Sequence, residues 1–139
     1  MESFYSGQAS AYVKLADLYA KMGDDATAEA VLEEAIQAEP SNTSAQLRLA
    51  VLDSSQMRYR QAAERLGQAL ALSPGSAELW TALGGVYLAQ GDRQKAVESY
   101  REAVAAVPAY TSAYLSLAAV ERLQGNLETA TTILEKAVE

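Results

Sequence analysis

The groups whose spacing could do chemistry here are carboxylates. Asp24-Asp25 and Glu33-Glu34 are adjacent pairs, with Glu29 and Glu39 close by. Two carboxylates can share acid and base work in glycoside hydrolysis when they face each other across a cleft roughly 5–9.5 Å wide. Neighbours on one helix do not face each other, so these pairs read as a solvated acidic face. The remaining reactive types are Ser, Thr, Lys, Arg and Tyr. Histidine and cysteine are both absent. That removes the commonest general base, the commonest metal ligand, thiolate nucleophiles and disulfides. No carboxylate run has calcium-loop spacing, and Gly84-Gly85 sits in no phosphate-binding fingerprint. The expectation is no catalytic set, no metal and no cofactor, hence not an enzyme.

Charge narrows the partners. Eleven basic residues against 18 acidic leave a net charge of −7. A nucleic-acid binder needs a basic footprint, and an anionic membrane surface repels an acidic chain. The longest apolar run, Ala103 to Val107, is far too short to span a bilayer. Residues 1–10 have neither a basic flank nor an apolar segment, so no signal peptide is read; a mature secreted chain or a piece of a longer protein would look the same, so the location stays open, with the cytoplasm as the default.

The elements that must position any site come from a repeat. Pro40, Pro74 and Pro108 are 34 residues apart. Leu15, Leu49, Leu83 and Leu117 keep the same step, followed by Ala16, Ala50, Gly84 and Ala118. So do Ala28, Ala62, Ala96 and Ala130, then Ala35, Ala69, Ala103 and Ala137, with Leu32, Leu66, Tyr100 and Leu134 between them. A further column reads Tyr12, Gln46, Trp80 and Tyr114. Many columns in register mark a repeat architecture. With 28 alanines and only 3 prolines in 139 residues, each unit reads as two closely packed helices.

Gly23-Asp24, Gly91-Asp92 and Gly125-Asn126 divide the two helices. Glycine ends the first in a left-handed conformation, and Asp or Asn caps the second. Met57-Arg58 stands there in the second unit, so that turn should be less ideal. Asn42 and Ser76 are expected caps; Tyr110 cannot cap, and Thr111 is its substitute. The predicted helices are 9–22, 25–38, 43–56, 59–72, 77–90, 93–106, 111–124 and 127–138, in one domain of four repeats (9–42, 43–76, 77–110 and 111–139). Ala or Gly notches let the paired backbones approach to about 8 Å, with Trp80, Leu83, Tyr87 and Tyr100 filling the third unit.

Trp80, Leu83, Gly84, Tyr87, Ala96, Tyr100, Ala103 and Pro108 together resemble the tetratricopeptide repeat signature. The first unit resembles it through Tyr12, Leu15, Ala16, Tyr19, Ala28, Leu32, Ala35 and Pro40. The second and fourth depart from it: Gln46 replaces an aromatic, and Asp53 and Glu121 replace tyrosine. The resemblance implies an all-α fold, a right-handed α-solenoid of eight helices with a concave groove. It also implies a scaffold that binds a peptide or protein surface.

In that family the first helix of each unit lines the groove. The implied lining includes Val13 and Asp17, then Leu47, Arg48 and Val51, then Glu78, Thr81, Gly85 and Leu88, then Leu115, Ala119 and Arg122. Val13, Leu47, Val51, Leu88 and Leu115 would make an apolar stripe, a mark of a binding surface when contiguous. Asp17, Arg48 and Arg122 would set polarity. Some members clamp the carboxylate tails of chaperones with basic residues. The corresponding places here are Val13, Asp17, Arg48, Glu78 and Ala82, of which only Arg48 is basic, so no such binding is expected.

The ends complete the expectations. A solenoid exposes an apolar face wherever no cap covers it. Phe4 and Tyr5 lead straight into the first unit, and Leu127, Ile133, Leu134 and Val138 form the last helix. The chain therefore reads as a segment of a longer array, with self-association through the terminal helices as the alternative. A partner protein or peptide in the groove is the first functional expectation; a spacer or oligomerisation module acting through its ends is the second. Residues 24–39 carry six acids and no base, and residues 58–65 carry Arg58, Arg60 and Arg65 against Glu64, an asymmetry that reads either as a device to orient head-to-tail stacking or steer a basic partner or as ordinary solubilising surface.

Overall fold

The computed structural model describes residues 2–139, with side chains from Gly7 onward; the side chains of Phe4 and Tyr5 lie outside the described residues. Eight helices and no strand occur among them: α1 (Glu2–Lys21), α2 (Asp25–Ala38), α3 (Thr43–Ser55), α4 (Tyr59–Leu72), α5 (Ala77–Ala89), α6 (Arg93–Ala106), α7 (Thr111–Leu123) and α8 (Leu127–Ala137). Bounds agree with the sequence reading to within a residue, except at the start of α1. No proline interrupts the segment before Ala9, so the helix runs on toward the N-terminus. The chain forms two compact units, residues 1–72 and 73–139.

Within the first unit, α1 packs on α2, α3 packs on both, and α4 packs on α3. Its core joins Val13, Ala16, Ala28, Leu32, Ala35, Ala45 and Leu49. Within the second unit α5 packs on α6, α7 on both, and α8 on α7. There Ala96 and Tyr100 of α6 meet Leu117 and Val120 of α7. Ala103 meets Ala77 and Ala113, with half-buried Trp80 against them. The notch columns behave as expected where they can be tested directly: a Cβ on Gly84 would lie 2.5 Å from Tyr100 Cε1, a gap only glycine tolerates.

Turn chemistry follows the residues. Gly23, Gly91 and Gly125 have φ of 81°, 85° and 85°, and Met57 holds the same left-handed conformation at 61°. Caps form at four helices. Asp24 Oδ1 accepts from Thr27 N at 3.2 Å and Asn42 Oδ1 from Ala45 N at 3.0 Å. Ser76 Oγ accepts from Leu79 N at 3.3 Å and Asp92 Oδ1 from Lys95 N at 3.1 Å. The Thr27 hydrogen bonds hold the Asp24 carboxyl below its ordinary value. Two expected caps are corrected. Thr111 is the first residue of α7, which has no side-chain cap, and Asn126 does not cap α8. Asn126 Nδ2 instead donates to Glu121 Oε2 at 2.8 Å.

That bond belongs to a pattern that accommodates every departure from the repeat signature. Gln46 stands in the Trp80 column, and both side chains do the same work. Gln46 Nε2 donates to Pro40 O at 3.3 Å, and Trp80 Nε1 donates to Pro74 O at 3.0 Å. Asp53 and Glu121 occupy the column of Tyr19 and Tyr87, and both are buried. Where that column holds tyrosine, the residue five positions on is a capping Asp (Asp24, Asp92). Where it holds an acid, the same place holds a donor: Arg58 for Asp53, Asn126 for Glu121. A carboxylate in both places would leave two like charges together in a poorly solvated site.

Candidate functional site

The expected lining residues divide into those that face outward and those that do not. In the first unit, Asp17, Leu47, Arg48 and Val51 come together. They border an apolar hollow of about 230 Å³ with Ala16, Ala20 and Leu52, floored by Ala28 and Leu32. Val51 is 65 % exposed at its rim. Arg48 Nε donates to Asp17 Oδ1 at 2.6 Å, tying α3 to α1 beside the hollow. Both partners are partly solvated, so the pair contributes orientation more than stability. Val13 is corrected: it is buried in the core with Ala16 and Leu49 and presents nothing outward. Its position on α1 points it toward the helix-pair seam, where apolar burial outweighs exposure.

In the second unit the residues are more scattered. Glu78 and Gly85 are exposed along α5, and Thr81 is half-buried with its Oγ1 donating to Ala77 O at 2.8 Å. Leu88 packs against the cluster of Tyr100, Leu117 and Val120. A Cβ on Gly85 would meet only Tyr100 Oη, at 4.0 Å. Leu115, Ala119 and Arg122 come together on α7, where with Ala118, Ala130 and Leu134 they border a second hollow of about 220 Å³. Burial pushes the Tyr100 phenol above its ordinary value of 10.0, against a lowering hydrogen bond with Ser116.

The acidic face expected on α2 is not simply solvated. Asp53 is fully buried, its Oδ1 accepting from Arg58 Nη2 at 2.7 Å and its Oδ2 from Arg65 Nε at 2.7 Å. Arg58 Nη2 also reaches Glu29 Oε2 at 3.0 Å, and Arg65 Nη2 lies 3.5 Å from Glu33 Oε1. Glu29, ahead of the opposing effect of burial and then the help of Asp53, raises the Arg58 pKa. Arg58 and Arg65 of the basic cluster are thus engaged within the first unit, while Arg60 is exposed. Among the described residues Arg60 pairs with Glu64, at 3.4 Å. The signal for this network was present in the sequence as an acid in a tyrosine column, but only the fold brings Glu29 and Glu33 to Arg58 and Arg65.

No group of metal-ligating side chains occurs among the described residues. No described helix is long and apolar enough to cross a membrane.

Known proteins show the same fold. A crystal structure of MamA superposes with a TM-score of 0.76 at 24 % identity, covering 94 % of this chain and 77 % of that one. MamA from Desulfovibrio magneticus RS-1 gives 0.75 at 20 %, covering 94 % and 73 %. PilF from Pseudomonas aeruginosa gives 0.82 at 24 %, covering 96 % of this chain and 61 % of that one. At these identities the likeness is one of fold. Among curated proteins none matches in sequence. Tetratricopeptide repeat profiles match residues 9–52, 55–111 and 86–139, which together take in nearly all of the helical columns described above. The chain belongs to the tetratricopeptide repeat family.

Proposed function

We propose that the chain is a non-enzymatic protein-interaction module that grips a peptide or helix of a partner on the faces of its first helices. The observation that carries this reading is the hollow beside Val51. Its walls are Ala16, Ala20, Leu47 and Leu52, and its polar edge is the Asp17–Arg48 pair. An exposed valine over an apolar recess is a place for one small apolar anchor of a partner. A charged pair at the rim fixes which way the partner lies, and acts on specificity and association rate more than on affinity. The family consists mostly of such scaffolds, and nothing in the residues converges as an acid–base set. Gly85, open on α5, leaves room for a partner backbone to come close.

The test uses a displayed peptide library selected on the wild-type chain, with the selected peptide titrated against Val51→Glu and Leu115→Glu. Both residues are exposed, so the variants keep the fold, which far-ultraviolet circular dichroism checks. Placing a carboxylate on an apolar contact should weaken binding at least about tenfold, equivalent to roughly 1.4 kcal/mol. Unchanged affinity in both folded variants would refute the placement on the first helices.

A further inference from the structure

We propose that a hollow between α5 and α6 takes an arginine side chain of a partner protein. Trp80, Leu83 and Tyr87 of α5 form one wall of this hollow of about 450 Å³, and Lys95, Glu98 and Glu102 of α6 form its rim. Trp80 and Tyr87 are half-buried, and the two carboxylates are exposed. All of these residues belong to the second unit. The hollow shares no residue with the one beside Val51.

One small residue opens the space. Ser99 also lines the hollow; it is buried, with its Oγ donating to Lys95 O at 3.0 Å. In the other repeats its column holds larger side chains: Val31, Arg65 and Ile133. Val31 and Ile133 pack on the cores of their own units. Arg65 turns to the residue in the Tyr87 column, its Nε donating to Asp53 Oδ2 at 2.7 Å, and its Nη2 lies 3.5 Å from Glu33 Oε1. The second repeat thus fills with its own arginine, set among carboxylates, the place that the third repeat leaves open.

The lining calls for a cation. Glu98 and Glu102 are one turn apart on α6, so their carboxylates lie on the same side of the helix. Among the described residues neither forms an ion pair. Lys95 is engaged elsewhere: its Nζ lies 5.5 Å from the centroid of the Tyr87 ring and 4.0 Å from Asp92 Oδ2. Among the described residues no cation covers the Trp80 ring, although indole is the side chain whose face attracts one most strongly. Trp80 Nε1 donates to Pro74 O at 3.0 Å, so a stacked group meets a wall already fixed in place. Arginine suits this lining better than lysine. Its planar fork stacks on a ring while its edge N–H groups reach carboxylates, and its methylenes lie along apolar surface such as Leu83. The net charge of −7 favours the approach of a basic segment.

The test is a titration of the 139-residue chain at low salt with the acetylated, amidated peptide Gly-Ser-Arg-Ser-Gly and its lysine and citrulline counterparts. Nuclear magnetic resonance follows the indole N–H signal of Trp80, the single tryptophan. The arginine peptide should move that signal saturably. Citrulline keeps the shape and loses the charge, and should bind at least about tenfold more weakly. Glu98→Gln combined with Glu102→Gln, both at exposed positions, should weaken the arginine peptide by about three- to tenfold. Glu34→Gln combined with Glu135→Gln removes the same charge from exposed sites elsewhere and should leave affinity within about twofold. An indole signal that the arginine peptide does not move overturns the proposal, as does equal binding of the citrulline peptide. Equal losses in the two charge-matched variants overturn it in favour of a general attraction to an acidic chain. Weakening by Val51→Glu overturns it in favour of the hollow in the first unit.

Discussion

Gly84 and Gly85 are neighbours on α5, and replacing each by alanine should change stability in opposite directions. A methyl on Gly84 would sit 2.5, 2.7 and 2.8 Å from Tyr100 Cε1, Cδ1 and Cζ. Tyr100 is itself buried against Ala96, Leu117 and Val120, so the ring has little freedom to move aside. Overpacking of this kind costs roughly 1–3 kcal/mol, while alanine gains about 0.8–1 kcal/mol over glycine in a helix. The net expectation for Gly84→Ala is a loss of about 1 kcal/mol. For Gly85→Ala the nearest heavy atom is Tyr100 Oη at 4.0 Å, so the propensity gain stands alone, a stabilisation of about 0.8–1 kcal/mol.

The other repeats supply the control. They pair Ala16, Ala50 and Ala118 with Leu32, Leu66 and Leu134 where this one pairs Gly84 with Tyr100. Tyr100→Leu alone removes a ring and leaves space. Combined with Gly84→Ala it recreates the alanine–leucine pair, so the double variant should lose about 1–2 kcal/mol less than the two single losses added, as expected for residues in contact. Urea unfolding should be followed both by circular dichroism and by the fluorescence of Trp80, the single tryptophan. Trp80 lies in the affected repeat, and repeat arrays need not unfold as one unit. If Gly84→Ala stabilises as Gly85→Ala does, or if the double variant is simply additive, the close approach of α5 to α6 is wrong.

The remaining predictions concern the turns, a buried pair and alkaline pH. Met57→Gly should stabilise by about 0.5–1 kcal/mol, since relieving a left-handed residue gains roughly 1–2 kcal/mol and glycine loses part of that to unfolded-chain entropy; thermal melting reads it. Asn126→Asp restores the residue that caps α2 and α6, yet should destabilise by about 1.5–3 kcal/mol, because it replaces a donor to the buried Glu121 carboxylate with a second acid. Denaturation of Asn126→Asp beside Asn126→Ser, which also removes the amide donor but adds no charge, separates repulsion from the lost hydrogen bond to Glu121. Tyr100 carries a raised pKa, so its contribution is full below the unfolded value near 10 and falls as pH climbs from there through the folded value. Tyr100→Phe should flatten that alkaline loss in melting curves while leaving stability at neutral pH nearly unchanged.

Helix number, bounds and most caps were legible because each is set by local chemistry repeated four times: proline stops, glycine turns and small-residue notches need no knowledge of the third dimension. What escaped were the places where two columns change together. Asp53 looked like a weak match to tyrosine, and Arg58 like a missing cap. Their meaning appears only when α3 and α4 fold back and α2 brings Glu29 alongside. Asn126 misled for the same reason: its type suits a cap, but its amide is turned to a buried acid five residues earlier, Nδ2 donating to Glu121 Oε2, and its side chain caps nothing on α8. Val13 was misplaced because a family pattern says which helix lines a groove, not which side of the seam a small β-branched residue takes.

The two faces of a first helix separate stability from recognition. On α3, Ala45, Leu49 and Ala50 are buried, as are Gln46 and Asp53, while Arg48 and Val51 turn outward. A substitution in the buried columns changes how a repeat stands on its neighbour; one in the outward columns leaves that packing alone. Val51→Glu should therefore impair peptide binding beside Arg48 with little change in the urea midpoint, whereas Leu49→Glu, at a fully buried position, should lower the midpoint. A Val51→Glu chain that unfolds as readily as a Leu49→Glu chain would mean that the outward columns are part of the fold.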